Sequence, residues 1–254
     1  MNLDVAGVLA DAWRMWKRDR DLLLAVAGFF LFLPQFAVLV LLPDPPVPAA
    51  GVSNEEAIRV WAPLMAQWLS DYGLALVGSI LWAAFGALLI FVLYLRSGRP
   101  DLKNALQAAS RLLLRYLLVS VLASLPIALI AVPAVGFLLI IPGIYAIGRM
   151  MLAGAAMVAE QPLGAVASVK RSIELSRGHG LAFAGIAIAL LLGSRLLPEP
   201  FVALGRVLDG APTANPVSAA LLDAMAAATA SLATLATILI QIALYRRLVA
   251  SKGI

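Results

Sequence analysis

Six long runs of apolar residues, separated by short charged or proline-rich segments, dominate the pattern of this chain. A helix that crosses the hydrocarbon core of a bilayer needs about 20 apolar residues, at about 1.5 Å of rise per residue. The pattern therefore predicts an all-α membrane protein in which residues 1–254 form a single polytopic domain with six transmembrane helices. The predicted spans cover residues 21–42, 73–95, 115–135, 138–158, 181–197 and 219–245.

Two of these assignments depend on how an apolar run is divided. Residues 112–158 form one stretch that is too long for a single helix. The predicted breakers are Pro133, Gly136, Pro142 and Gly143, with Pro142 in the first turn of the fourth span. The first run is longer than the core of about 7–15 residues in a signal peptide, so it is predicted to be the first span.

The charged segments beside the spans carry apolar residues at helical spacing, which predicts interfacial helices. These helices cover residues 3–19, 53–70, 101–114 and 162–177. When Arg14, Arg111 and Arg171 are set in register, three of the helices align and a span begins shortly after each. One interpretation of the alignment is a unit of one interfacial helix and two spans that is repeated three times in parallel. The alternative is that the three helices are alike only because any interfacial helix flanked by arginine shows this pattern.

Most of the 19 Lys and Arg residues lie on one side of the predicted spans. They cluster before the first span and after the second, fourth and sixth, whereas the opposite side carries only Arg59, Arg195 and Arg206. Segments rich in Lys and Arg stay in the cytoplasm. The distribution predicts that both termini are cytoplasmic and that the segment 43–72 lies on the opposite side.

Composition supports a lipid environment and excludes several functions. Hydrophobic residues make up 63% of the chain and charged residues 13%, against about 45–50% and about 25% in soluble domains. The absence of cysteine removes disulfides, iron–sulfur clusters and thiol nucleophiles. No nucleic-acid partner is expected from the net charge of +5, because the basic residues flank apolar runs instead of forming a patch.

Arg149 is the charge that the pattern places inside a span. Such a charge costs about 2.5–3.5 kcal/mol on insertion scales, so it normally faces protein or water and has a partner. Arg149 is therefore a candidate contact for an anion or a lipid headgroup. Alternatively, it snorkels from a depth of about 10 Å to the outer headgroups, if the span begins at Pro142. Arg14, Arg111 and Arg171 are further candidate headgroup contacts, because basic residues are attracted to an anionic leaflet.

The remaining polar residues favour structural roles over catalysis. Glu160, at the end of the fourth span, is predicted to pair with Lys170 or Arg171, and His179 is predicted to be a connector between two glycines. The sequence contains no HExxH, GxSxG, phosphate loop or paired intramembrane carboxylates. We expect that the protein is not an enzyme and has no catalytic residues, cofactor or metal site.

A stretch of about forty residues resembles a known bacterial family. The residues that carry the resemblance are Ile140-Ile141-Pro142-Gly143-Ile144-Tyr145, Arg149, Glu160, Ala165 and the run from Lys170 to Gly178. They resemble the YciC-type inner-membrane proteins and are similar to the membrane domain that some bacteria fuse to glycerophosphodiester phosphodiesterases. The resemblance implies a bacterial cytoplasmic (inner) membrane protein with six spans, and it implies no activity.

These observations favour a non-catalytic membrane protein that interacts with lipid headgroups and is concerned with envelope integrity or lipid handling. Its expected partners are anionic membrane lipids on the cytoplasmic side, together with a second copy of itself or another membrane protein. Two alternatives stay open. One is a transporter of a small solute or lipid, for which Arg149, Gln35 and Gln241 are the polar candidates at the midplane; the other is a membrane anchor or assembly subunit.

Overall fold

Every regular element in a computed structural model of this chain is a helix, within the residues that it describes, 3–48, 54–96, 98, 100–130, 132, 135–209 and 215–252. The helices are α1 Val5–Ala27, α2 Leu33–Leu41, α3 Asn54–Leu95, α4 Leu102–Ile130, α5 Val135–Met150, α6 Ala153–Ala159, α7 Ala165–Leu175, α8 Gly180–Leu196, α9 Glu199–Asp209 and α10 Pro216–Lys252. Six helical stretches are long and apolar enough to cross a membrane. The predicted all-α membrane protein with six spans is confirmed.

Both ends of the described chain meet on one side of the bundle, which we call the terminal side; the opposite side is the far side. Asp4 Oδ2 lies 2.9 Å from Arg247 Nη1, and Lys252 Nζ donates to the Glu174 carbonyl at 3.0 Å. An even number of crossings requires this arrangement. The two helices that follow α5, which are α6 and α7, also lie on the terminal side.

The first crossing begins after a kink in α1. Asp19 has non-helical backbone angles, φ −118° and ψ 22°, and it separates residues 5–18, called here the N-terminal helix, from the membrane-crossing part. This kink lies between the predicted interfacial helix and the predicted first span. The crossing continues through a π-helix, Gly28–Phe32, into α2.

On the far side, the predicted interfacial helix 53–70 is not separate from the second span. Both belong to α3, a helix of 42 residues and hence about 63 Å long, twice the roughly 30 Å of the hydrocarbon core. The predicted break at the polar residues before Gly73 is wrong, because Ser, Asp and Gly each cost less than about 1 kcal/mol inside a helix. The indole N–H groups of Trp61 and Trp68 instead donate to the carbonyls of Pro46 and Pro43, which holds the preceding segment along α3.

The third and fourth crossings also differ from the predicted boundaries. The interfacial helix predicted at 101–114 runs into the third span without a break, as α4. The fourth span begins at Val135, so Pro142 lies inside α5 and not in its first turn. The predicted span 138–158 ends as a regular helix at Met150, and α6 follows after a two-residue break.

The last third of the chain supplies the fifth and sixth crossings, α8 and α10. Between them the structure adds α9, an amphipathic helix in a connection for which the sequence predicted no helix. α10 extends beyond the predicted end at 245 as far as Lys252. The C-terminal tail is therefore a continuation of the sixth span over the part that the structure describes.

The core lies toward the terminal side. It contains the last turns of α3, of which Leu88, Leu89 and Ile90 are fully buried, and α6, of which Ala155, Ala156 and Met157 are fully buried. The last turns of α10 complete it. Far-side residues of α3 are exposed by contrast, as Leu74 is at 87%.

The three aligned arginines occupy different surroundings. Arg14 and Arg111 lie on exposed positions of α1 and α4, whereas Arg171 is partly buried. The order of one interfacial segment followed by two spans recurs three times. Only the third interfacial segment, α7, is a separate helix, because the first is part of α1 and the second is part of α4. A true threefold repeat stays a prediction.

Candidate anion-binding site

The candidate site begins at the break between α5 and α6. Residues 151 and 152 leave the helix, and the Ser172 side chain on α7 occupies the gap. Its Oγ donates to the Arg149 carbonyl at 2.7 Å and accepts from the Leu152 N–H at 3.1 Å. Backbone that leaves a helix at membrane depth must find such partners, because lipid offers none. The break therefore fixes the last turn of α5 against α7.

Arg149 lies in that last turn, and its side chain is directed to the terminal side. Nη2 donates to the Ile173 carbonyl at 2.6 Å, and Nη1 donates to the Tyr145 hydroxyl at 2.9 Å. The Arg149 guanidinium carbon lies 5.6 Å from the centre of the Tyr145 ring. The alternative in which Arg149 snorkels to the outer headgroups is wrong, because α5 begins at Val135 and its last turn contacts α7 at the opposite end of the span.

The positive charge of Arg149 has no carboxylate partner among the described residues. No Asp or Glu oxygen of that part of the chain lies within 4.0 Å of its guanidinium, and Nε is buried without a hydrogen-bond partner. Its contacts are two neutral oxygens and an aromatic ring. A charge at a span end pairs with another charge or with backbone carbonyls. Arg149 has the carbonyl partner, and no anionic group of the described residues accompanies it.

A cavity of about 540 Å³ opens beside Arg149. It is lined by Leu3, Tyr145, Arg149, Gly178, His179, Gly180, Leu181 and Ala182. His179 is the N-cap of α8, a helix of 17 residues, so the unpaired N–H groups of the first turn and the positive end of the helix dipole lie at this cavity. Together with Arg149 they make it favourable for an anion.

Two glycines shape the cavity. Gly178 has φ +83°, a left-handed conformation that residues with a Cβ rarely adopt. A Cβ on Gly180 would lie 2.5 Å from the Tyr145 hydroxyl oxygen, so glycine lets the ring approach the start of α8. His179 was predicted to be only a connector, and its position in the wall of the same cavity as Arg149 was not predicted. The Gly-His-Gly sequence before an apolar run was the available signal.

Glu160 forms the ion pair that the sequence predicted as one of two options, with Arg171. Arg171 Nε donates to the two Glu160 carboxylate oxygens at 3.0 and 2.7 Å, and the Tyr245 hydroxyl donates to Oε1 at 2.8 Å. The carboxylate hydrogen bond raises the pKa of Arg171 above its ordinary value. This cluster joins the end of α6 to α7 and α10. Arg171, a predicted headgroup contact, therefore lies in an internal ion pair, with 20% of its side chain exposed.

Arg14 and Arg111, the other predicted headgroup contacts, lie on the surface of the terminal side. The Arg14 side chain is 74% exposed and pairs with Asp11 on the same helix. Arg111 is exposed and forms no ion pair with another described residue. Neither contributes to the cavity beside Arg149. Their contact with lipid stays a prediction.

A second group of contacts, which the sequence did not reveal, clamps the N-terminal helix to α10. Arg247 forms ion pairs with both Asp4 and Asp11, and Arg246 donates to the Tyr94 carbonyl. The N–H of Gly7 and then the guanidinium of Arg247 lower the pKa of Asp4. The clamp holds Leu3 at the Arg149 cavity.

Comparison with protein-family models, curated proteins and solved structures finds no match to this chain. The likeness of residues 140–178 to YciC-type proteins therefore stays a prediction.

Proposed function

We propose that this integral membrane protein is non-catalytic, binds anionic lipid headgroups at its terminal side, and serves envelope integrity or lipid handling in a bacterial inner membrane. In this proposal the terminal side is cytoplasmic, as the distribution of basic residues predicts. The observation that carries it is the guanidinium of Arg149, which borders a cavity and has no carboxylate partner among the described residues.

A lipid phosphate supplies the group that this site lacks. Its oxygens are strong acceptors, and a guanidinium binds phosphate through hydrogen bonds in a planar fork. The cavity also has apolar walls at Leu181 and Ala182, and Leu181 is 85% exposed toward the surroundings of the bundle. A ligand with a charged head beside an apolar body matches that combination better than a free inorganic anion does.

Basic residues around the site support the same proposal. Arg14 and Arg111 are exposed on the terminal side, and a Lys or Arg near an anionic leaflet contributes about 1 kcal/mol of attraction. These residues would concentrate anionic lipid at the surface, whereas Arg149 would select the headgroup that enters the cavity.

The test measures how the melting temperature of the protein in detergent responds to added phosphatidylglycerol and to added phosphatidylcholine. We expect phosphatidylglycerol to raise the melting temperature more, because a ligand stabilises the state that binds it. Arg149→Leu should lose most of that difference. Arg149→Lys should keep only part of it, because an ammonium cannot replace the planar fork that reaches Tyr145 and Ile173. The readout is the lipid-dependent difference, so a lower starting stability of a variant does not affect it.

Arg195→Leu is the matched control, because Arg195 is an exposed arginine in the last turn of α8, on the far side. This variant should respond to both lipids as the unaltered protein does. The proposal is wrong if Arg149→Leu keeps the full response to phosphatidylglycerol, or if Arg195→Leu loses as much of it.

Transport is the second candidate function, and one observation favours it. Two cavities of about 220 and 130 Å³ share Ile147, Met151 and Gln241 in their walls. The Gln241 side chain is partly buried, and it makes no side-chain hydrogen bond within the described part of the chain. The other midplane candidate, Gln35, is exposed on the outer surface of the bundle. A transporter would depend on Gln241, so Gln241→Leu should abolish transport and leave the response to phosphatidylglycerol unchanged.

A further inference from the structure

An apolar groove of about 640 Å³ lies between the N-terminal helix and α10, at the edge of the bundle. Its walls include Leu9, Trp13 and Trp16 from the N-terminal helix and Leu232, Leu235 and Leu239 from α10. The volume falls within the roughly 300–1,000 Å³ of ordinary ligand pockets. Trp13 is 56% exposed and Leu232 is 47% exposed, so the groove is open to the surroundings of the bundle.

A cation stands beside this groove. Lys17 Nζ lies 5.5 Å from the centre of the Trp13 ring, and no carboxylate of the described residues lies within 4.0 Å of it. The neighbouring arginines differ in this respect, since Arg14 pairs with Asp11 and Arg18 pairs with Asp19. Lys17 is thus a positive charge that the aromatic wall holds beside an apolar cleft.

We infer that the groove binds an acyl chain of an anionic phospholipid, and that Lys17 holds the phosphate of the same molecule. The apolar walls match a hydrocarbon chain, and the single cation at the edge matches a single negative charge at its end. A helix of a partner protein, about 10–12 Å across, would need a wider trough than a cleft between two helices in contact. If the N-terminal helix lies at the interface, as its sequence predicts, Trp13 and Trp16 would stand where aromatic residues meet the headgroups.

This inference goes beyond the proposed function, because it concerns a second site and the acyl chain of the ligand. The groove uses residues 9–16 of the N-terminal helix, whereas the Arg149 cavity uses Leu3 at the start of the chain that the structure describes. Lys17 does not line the Arg149 cavity, so either site can fail its test without affecting the other.

The experiment uses Trp13 and Trp16 as reporters of the groove. Trp61, Trp68 and Trp82 are replaced by Phe, and the full chain is reconstituted in phosphatidylcholine bilayers. A small fraction of the lipid is exchanged for phosphatidylglycerol or phosphatidylcholine with bromine atoms on the acyl chains, which quench tryptophan fluorescence on contact. We expect brominated phosphatidylglycerol to occupy the groove about fivefold more than brominated phosphatidylcholine, the preference that one basic residue at the surface provides.

Lys17→Gln should reduce quenching by brominated phosphatidylglycerol to the level of phosphatidylcholine, and high salt should do the same in part. Lys103→Gln is the matched control, because Lys103 is exposed in the first turn of α4 on the terminal side; it should leave the preference intact. Ala236→Phe, which narrows the groove from α10, should weaken quenching by both lipids. Equal quenching by the two lipids in the parent protein would overturn the inference, as would a preference that Lys17→Gln leaves unchanged.

Discussion

The terminal side and the far side of this bundle are held together by different means. On the terminal side, α6 and the last turns of α3 are largely buried, and ion pairs connect separate helices, one of them joining α1 to α10. On the far side, α3 exposes large apolar residues. The ion pair of Arg206 on α9 with Asp44, in the non-helical segment after α2, is 59% and 72% exposed. Helices in lipid gain little from burying apolar surface, so close packing and polar contacts decide how they associate. The terminal side therefore carries most of the specificity of the fold.

The basic residues of the terminal side fall into two groups, those that have a carboxylate partner and those that have none among the described residues. Glu160 neutralises Arg171, and Asp4 and Asp11 neutralise Arg247. Arg149 and Lys17 have aromatic neighbours and no carboxylate partner among the described residues. Arg149 lines one open cavity, and Lys17 lies against a tryptophan that lines another, which is why we propose lipid binding at this side.

The largest effect on stability is expected from Glu160→Gln. It removes the negative charge that holds Arg171 and accepts from Tyr245, and hydrogen bonds to charged groups contribute about 1.5–3 kcal/mol. We expect a loss of about 2 kcal/mol in the free energy of unfolding, measured by denaturation in mixed micelles.

Asp44→Asn makes the matched change on the far side, where it weakens the exposed pair with Arg206. Its cost should stay below about 1 kcal/mol, as is usual for surface ion pairs. Equal losses for the two variants would show that the two sides do not differ as described.

A smaller effect is expected at the clamp on the N-terminal helix. The pKa of Asp4 is lowered from 3.8 in the folded protein, so its contacts with Gly7 and Arg247 are fully present above that value. They are lost as the pH falls through the lower folded-state pKa. In the variant whose only tryptophans are Trp13 and Trp16, the emission should shift to longer wavelength over that acidic range as the helix separates from α10.

Asp4→Asn should weaken the clamp at neutral pH and reduce the amplitude of the acid-induced shift. An unchanged amplitude in this variant would remove Asp4 from the account of the clamp and leave the acid response to Asp11.

The sequence predicted the features that depend on neighbouring residues, but it did not predict contacts between residues that are far apart along the chain. Apolar runs predicted the six spans, and the short separation of Glu160 and Arg171 allowed their pairing to be predicted. The break after Met150 carries no proline or glycine, and it depends on Ser172 from another helix. Pro142, which does resemble a breaker, lies within α5.

The candidate site was predicted in part for the same reason. Arg149 stood out as a charge inside an apolar run, but the snorkelling alternative counted its depth from Pro142, whereas α5 begins at Val135. Its neighbours, Ile173 and His179, belong to α7 and to the start of α8, and only the tertiary fold brings them together. The contact of Asp4 with Arg247 joins the two ends of the chain, and no periodicity along the sequence encodes it.

The most direct test of lipid binding at the terminal side is to map where an anionic headgroup touches the protein. Phosphatidylglycerol with a diazirine on its glycerol headgroup is added to the detergent-solubilised full chain, photolysed, and located by mass spectrometry of peptides. We predict labels within 145–149, 178–182 and 9–17, and competition by excess unlabelled phosphatidylglycerol but not by phosphatidylcholine. Labels concentrated in the far-side segments 54–72 and 199–209, or equal competition by both lipids, would contradict the account.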